Sequence, residues 1–301
     1  MRIVSLLASG TEIVCALGAG DWLVGRSHEC DNPPWVRALP QCSEPAFDIS
    51  VSSREIDREV NRRIRAGEPL YKIDHARIAE LAPDVIIAQI HCEVCAVTPN
   101  DLVPESRAKV VPLSASSLDE IFASIHQVAE VLSLPAHQLV REHRERLDRV
   151  RQRTSGRRRP SVVMLEWTDP MFAMGNWGPE LIEIAGGKPL LGTQGQHSRA
   201  IPAERLLEAD PEFLIVAPCG FNLERSEAEQ EVLERLPWWH RLHAVQEGRV
   251  AFADGNLYFN RSGMTIARTA EILAEILHGV DTPIPAENFC WRWYTERRVR
   301  V

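Results

Sequence analysis

Short apolar runs alternate with amphipathic helical stretches along most of this chain, and that alternation restricts the fold more than any other feature. It implies parallel sheets with helices on both faces. RIVSLL (2–7) and LVGRSH (23–28) predict strands, with the helix TEIVCALGAG between them and Thr11 as its cap. SSREIDREVNRRIRAG (52–67) predicts a charged amphipathic helix, capped by Ser52 or Ser53, with Glu55 in its first turn. HARIAELAP (75–83) reads as a helix, and DVIIAQI (84–90) and KVVPLS (109–114) as strands. Residues 117–153 form one long helical reading, broken near Leu134-Pro135. Alternation then restarts: strand 161–167, helices 179–187 and 202–210, strand 213–218, helix 227–236, strand 249–254 and helix 265–279. The expected architecture is therefore two Rossmann-like α/β lobes with parallel sheets joined by one long helix. The boundaries are an N-terminal lobe at 1–115, a linker helix at 116–155, a C-terminal lobe at 156–279 and a tail at 280–301. The tail has no clear period, and its aromatics are expected to pack back on the body or on a partner chain.

Composition removes several functions. The chain has 301 residues, 45% hydrophobic and 25% charged, ample for two cores. A net charge of −8 argues against a nucleic-acid partner, because phosphate binding needs a basic face. No apolar stretch approaches the roughly 18 residues that cross a membrane, so the chain is not expected to be membrane-embedded. Met1 is followed at once by RIVSLLASGTEIV, with no leader pattern. As written the chain is expected in the cytoplasm, and in the periplasm or at the cell surface if a signal sequence was removed. There is no GxSxG elbow, no GxxxxGK[ST] phosphate loop and no GxGxxG.

In open parallel sheets, ligands bind beyond the carboxyl ends of the strands. The residues that follow the predicted strands form a coherent set. They include Ser9 in the first turn; His28, Glu29 and Cys30 after the second strand; and His91-Cys92-Glu93-Val94-Cys95 after the strand at 84–90. Farther on come Glu166 and Trp167, then Trp177; Cys219 and Phe221; and Tyr258, Asn260 and Arg261. Taken singly, each has an ordinary structural explanation: a cysteine at a strand end is usually a small buried hydrophobe. Together, Cys30, Cys92, Cys95 and Cys219 would face one groove. Thiolates and imidazole suit zinc, an iron–sulfur cluster or a cobalt centre. A redox dithiol at Cys92 and Cys95 is less favoured, since a helix there would begin near Pro99, after the pair.

These segments resemble the cobalamin/iron-siderophore class of substrate-binding proteins, which serve bacterial ABC importers. The resemblance spans roughly residues 1–278. It is carried by RIVSLLASGTEIVCALGAGDWLVGRSHECDNPP, LAPDVIIAQ, the single linker helix, GGKPLL and LLEADPEFLIVAP. The chain is similar in particular to signal-less, cobalamin-binding-protein-like members that share SHECD, SSREID, CEVCAV, LEW and PCGF segments. It departs from the usual members in its cysteines and in the added helix at 52–67.

The resemblance implies a two-lobed, helix-bridged fold holding a corrinoid or other metal-chelate ligand in a shallow cleft between the lobes, with an ABC permease as partner. Trp167, Trp177, Phe221 and Tyr258 would cover the ligand's faces. His28 or a thiolate would ligate its metal. Glu29, Glu166, Asn260 and Arg261 would meet its peripheral amides or carboxylates, beside Ser9. The alternative is a cytosolic metal- or iron–sulfur-dependent enzyme on the same scaffold. There Cys30, Cys92, Cys95 and Cys219 would hold zinc or an iron–sulfur cluster, and His28 with Glu29 or Glu93 would move protons.

Overall fold

The computed structural model describes residues 1–89, 108–280 and 290–295. The chain divides into two compact α/β units: residues 1–143 with 261–264, and residues 144–260 with 265–301.

In the first unit the chain runs β1 (Ile3–Ser5), α1 (Ala8–Ala16), β2 (Leu23–Arg26), β3 (Ser43–Pro45), α2 (Ser53–Ala66), β4 (Tyr71–Ile73), α3 (His75–Leu81), β5 (Val85–Gln89), β6 (Lys109–Leu113) and α4 (Leu118–Leu132). Among the described residues, β2, β1, β5 and β6 form a parallel sheet in that order, and β3 pairs β4 antiparallel. Val4, Leu6, Ile78 and Ile86 pack into its core with Cys42, whose thiol is buried and pushed up to about 11. Gly25 lies where no side chain fits, since a Cβ there would sit 2.7 Å from Leu81 and 2.9 Å from the Cys42 sulfur.

Local signals explain α2 well. Ser52 accepts from the Glu55 backbone N–H while the Glu55 carboxylate accepts from Ser52, and Gly67 closes the helix at φ 65°. Helix α1 starts earlier than its sequence suggests. Leu7 is its N-cap, without a side-chain cap, and Thr11 sits buried inside the helix. The long helical stretch resolves into α4 and α5 (His137–Thr154), separated at Ser133–Ala136 next to Pro135. Val140, His143, Leu147, Val150 and Thr154 form one buried stripe of α5 at alternating spacings of three and four. The division between the units falls within this helix, after His143.

The second unit runs β7 (Ser161–Thr168), β8 (Met171–Ala173), α6 (Gly178–Ile184), β9 (Lys188–Pro189), β10 (Arg199–Ala200), α7 (Ala203–Ala209), β11 (Phe213–Val216), α8 (Leu223–Ala228), α9 (Gln230–Glu234), α10 (His243–Gln246), β12 (Val250–Ala253), α11 (Ile266–His278) and β13 (Trp291–Trp293). The sheet order is β10-β8-β7-β11-β12-β13, with β9 also paired to β7. β9, β7, β11 and β12 are parallel, while β8, β10 and β13 add antiparallel edges. The helix expected at 227–236 begins sooner, capped by Asn222, and is divided at Glu229, whose carboxylate accepts a hydrogen bond from the Thr168 hydroxyl.

The tail without a period becomes β13. Tyr294 follows it into the core, donating its hydroxyl to Glu234 at 2.9 Å and meeting Trp239 edge-on at 5.9 Å. Tyr294→Ala is expected to cost about 3–5 kcal/mol in denaturant unfolding, and Tyr294→Phe about 0.5–1.5 kcal/mol. A cost below about 1 kcal/mol for the alanine variant would show that the tail only rests on the surface.

Candidate functional site at the strand ends

Each sheet has a point where successive connections leave in opposite directions, the place where open α/β sheets bind ligands beyond the strand ends. In the first unit that point lies between β1 and β5; in the second it lies between β7 and β11. The loop that follows β5 falls outside the described residues. With it go Cys92 and Cys95, and His91 and Glu93 beside them.

In the first unit, β2 delivers the segment 27–32 to the carboxyl end of the sheet. His28 is half-buried there. Its Nδ1 lies 3.3 Å from the Ser43 hydroxyl on β3, and its ring packs 5.3 Å from Tyr71 on β4. Burial, aided by the Arg26 charge and opposed by Glu44, lowers the His28 pKa to about 4. The imidazole is therefore neutral at pH 7, the form that can ligate a metal. Glu29 is half-buried, its carboxylate 3.9 Å from His28 Nε2.

Cys30 turns inward. Its sulfur accepts from Thr11 Oγ1 at 2.9 Å, lies 3.2 Å from Ser27 Oγ and donates to Ser5 O at 3.6 Å. Burial raises its pKa and keeps it a thiol, whereas a metal needs the thiolate. Cys219, half-buried, belongs to the other unit. Among the described residues, no group of three or more His, Cys, Asp or Glu could hold a metal ion. The expected cysteine cluster, with its zinc or iron–sulfur centre, thus has no support there.

Arg261 also differs from expectation. It is 5% exposed, and its Nη1 donates to Glu12 Oε1 at 2.8 Å while Nη2 donates to Asp31 Oδ1 at 2.6 Å and Glu29 O at 3.4 Å. Asn32 Nδ2 also donates to Glu12 Oε1, at 3.0 Å. Desolvation raises the Glu12 pKa against the pull of the Arg261 charge. Ser9, expected near ligand, is buried under Gly263, where a Cβ would come within 2.9 Å of its own Cβ. Ser9 and Arg261 thus build the interior that supports the 27–32 segment.

In the second unit, β7 ends at Glu166-Trp167-Thr168, and Cys219 N–H donates to Glu166 O, joining the β11 loop to it. Trp167 is half-buried and its ring centroid lies 5.1 Å from that of Phe221, tilted 58°. Tyr258 is half-buried in the short π-helical turn after β12, and its carbonyl accepts from Thr269. Trp177 is buried, donating Nε1–H to Phe259 O at 3.2 Å, and Asn260 Nδ2 donates to Ala217 O and Gly255 O, both at 2.9 Å. The last two side chains hold their own loops. The structure thus gathers Glu166, Trp167, Phe221 and Cys219 at one switch point and sets His28 and Glu29 at the strand ends of the other unit. Arg225, which stacks on Phe221, was not singled out in the sequence. Its signal is the four-residue spacing from Phe221.

Residues 3–257 match the periplasmic binding protein family, and the chain belongs to it. Proteins of this family bind small molecules and work with ABC permeases. The vitamin B12-binding protein of Yersinia pseudotuberculosis serotype O:3 is 23% identical over 291 residues, covering 94% of this chain and 88% of that one. A periplasmic heme-binding protein from Pseudomonas aeruginosa superposes with a TM-score of 0.74 at 20% identity, covering 98% of both chains. The periplasmic vitamin B12-binding protein BtuF of Vibrio cholerae gives 0.60 at 20% identity, covering 92% of this chain and 96% of that one. These likenesses fix the fold. Among the described residues no helix is long and apolar enough to cross a membrane.

The depressed His28 pKa has a measurable consequence. The unfolded imidazole titrates near 6.5 and the folded one near 4, so on acidification the unfolded chain takes up the proton first. This contribution is intact above about pH 6.5 and is lost progressively as pH falls toward 4, by about 3 kcal/mol in all. His28→Gln is expected to flatten this acid limb in urea unfolding at pH 7 and pH 4.5. An unchanged slope would assign the acid sensitivity elsewhere.

Proposed function

We propose that this chain is the substrate-binding component for a planar metal chelate of the corrinoid or heme type, which it hands to an ABC permease. The observation that carries the reading is the switch point of the second unit, where the half-buried Trp167, backed by the buried ring of Phe221, offers an indole suited to a flat macrocycle. In the first unit, His28 offers an imidazole of the kind that ligates a chelated metal, neutral at pH 7. Glu166 and Tyr258, in the same unit as Trp167, supply polar contacts to the rim of the chelate. The relatives support the same class, since those compared are named for vitamin B12 and for heme. The metal arrives with the ligand, so a protein-held cysteine cluster has no part in this reading. Of the two locations expected from the sequence, family membership favours the exported one.

Titration of the full chain with aquocobalamin and with hemin, followed by absorbance and calorimetry, tests the proposal. One of the two is expected to bind at 1:1 stoichiometry. Trp167→Ala should weaken that binding at least about tenfold. No saturable binding of either compound would overturn the reading.

A further inference from the structure

We propose that the end of α5 and the turn after it, residues 149–159, form a surface that docks on the anionic headgroups of a phospholipid bilayer. The stretch RVRQRTSGRRR holds six arginines and no carboxylate. Taking their six charges from the net charge of −8 leaves −14 on the rest of the chain, so positive charge is concentrated here. All six arginines are exposed.

Local structure accounts for part of this charge. Arg151 pairs with Asp148, and Arg158 with Glu212. Arg159 donates to Gly187 O at 2.8 Å. Arg157 donates to Arg153 O at 3.3 Å and to His278 O at 3.1 Å, in the last turns of α5 and α11. Bonds to carbonyls use donors but do not neutralise a guanidinium. The helix dipole favours cations in the last turn of α5, where Arg151 and Arg153 lie. It does not account for Arg149, which precedes that turn. Arg149 and Arg153 stand four residues apart on one side of the helix, where like charges repel. Among the described residues, no carboxylate pairs with Arg149, Arg153 or Arg157.

Repulsion kept on a surface is relieved by an anionic partner, and the patch suits a bilayer best. No aromatic residue interleaves the arginines, as stacking on single-stranded nucleic acid requires. The charge of −14 on the rest of the chain opposes close approach of a polyanionic duplex. A bilayer meets one face only, and at physiological salt acids more than about 8 Å from it are largely screened. Guanidinium forks also bind phosphate oxygens two at a time. Proteins of this family work with ABC permeases, so a bilayer lies within reach.

The test is co-sedimentation of the full chain with vesicles of mixed phosphatidylglycerol and phosphatidylcholine, and with vesicles of phosphatidylcholine alone. Binding is expected to the first and not to the second, and it should fall as salt is raised. Each basic side chain near an anionic bilayer contributes about fivefold, so the double variant Arg149→Gln, Arg153→Gln should bind at least about tenfold more weakly. The double variant Arg149→Lys, Arg153→Lys should keep most of the binding, because it keeps the charge. An unchanged Tm reports that these exposed substitutions leave the fold intact. Equal binding to both kinds of vesicle, or binding to neither, would overturn the proposal. So would an unchanged affinity in the glutamine variant, or tighter binding to a DNA duplex than to the anionic vesicles at the same salt.

Discussion

The ion-pair network of Arg261 with Glu12 and Asp31 is the interaction on which the arrangement of the first unit depends. Its members lie 249 and 230 residues apart in the chain. Residues 261–264 belong to the first unit although the chain on both sides of them belongs to the second. Three contacts hold this short return: the guanidinium network, the close approach of Gly263 to Ser9, and His143 Nε2 at 3.0 Å from Met264 O. A buried guanidinium is tolerated only when it is paired and hydrogen-bonded, and here two carboxylates and the Glu29 carbonyl meet it. Because Arg261 grips Glu29 O and Asp31, it also fixes the segment that carries His28.

The network separates two tasks that the sequence had merged. Arg261, Ser9, Trp177 and Asn260 make the scaffold; His28, Glu29, Glu166, Trp167 and Phe221 stand at the strand ends. The scaffold side chains are buried or bonded to nearby backbone, so the segments at the strand ends are held in one geometry. Preorganisation of this kind limits the ordering penalty that a ligand must overcome.

How much was legible in the sequence follows from the range of each signal. The α2 cap needed only Ser52, Glu55 and Gly67, which act within one helix, and the strands needed only apolar runs. Features set by distant partners were not legible. Thr11, read as a cap, instead sits inside α1 and donates its hydroxyl to the inward-turned Cys30, 19 residues away. Glu229, where α8 gives way to α9, is met by Thr168, 61 residues away. The tail lacks a period because β13 is three residues long and is held by Tyr294 more than by its own pattern. The strand-end rule picks out segments, but it could not tell which of their side chains point inward. Arg261 and Cys30 both follow strands, and both are buried.

A double-mutant cycle tests the central claim most directly. Unfolding free energies are measured for the unaltered protein, Arg261→Met, Glu12→Gln and the double variant. Arg261→Met is expected to cost about 3–5 kcal/mol, because it strips the buried Glu12 carboxylate of its cation and leaves Asp31 with the more exposed Arg37 at 3.6 Å. Glu12→Gln should then recover part of that loss, with a coupling of at least about 1 kcal/mol. Additive effects of the two substitutions, or a cost for Arg261→Met below about 1 kcal/mol, would contradict the claim that this buried network holds the first unit together.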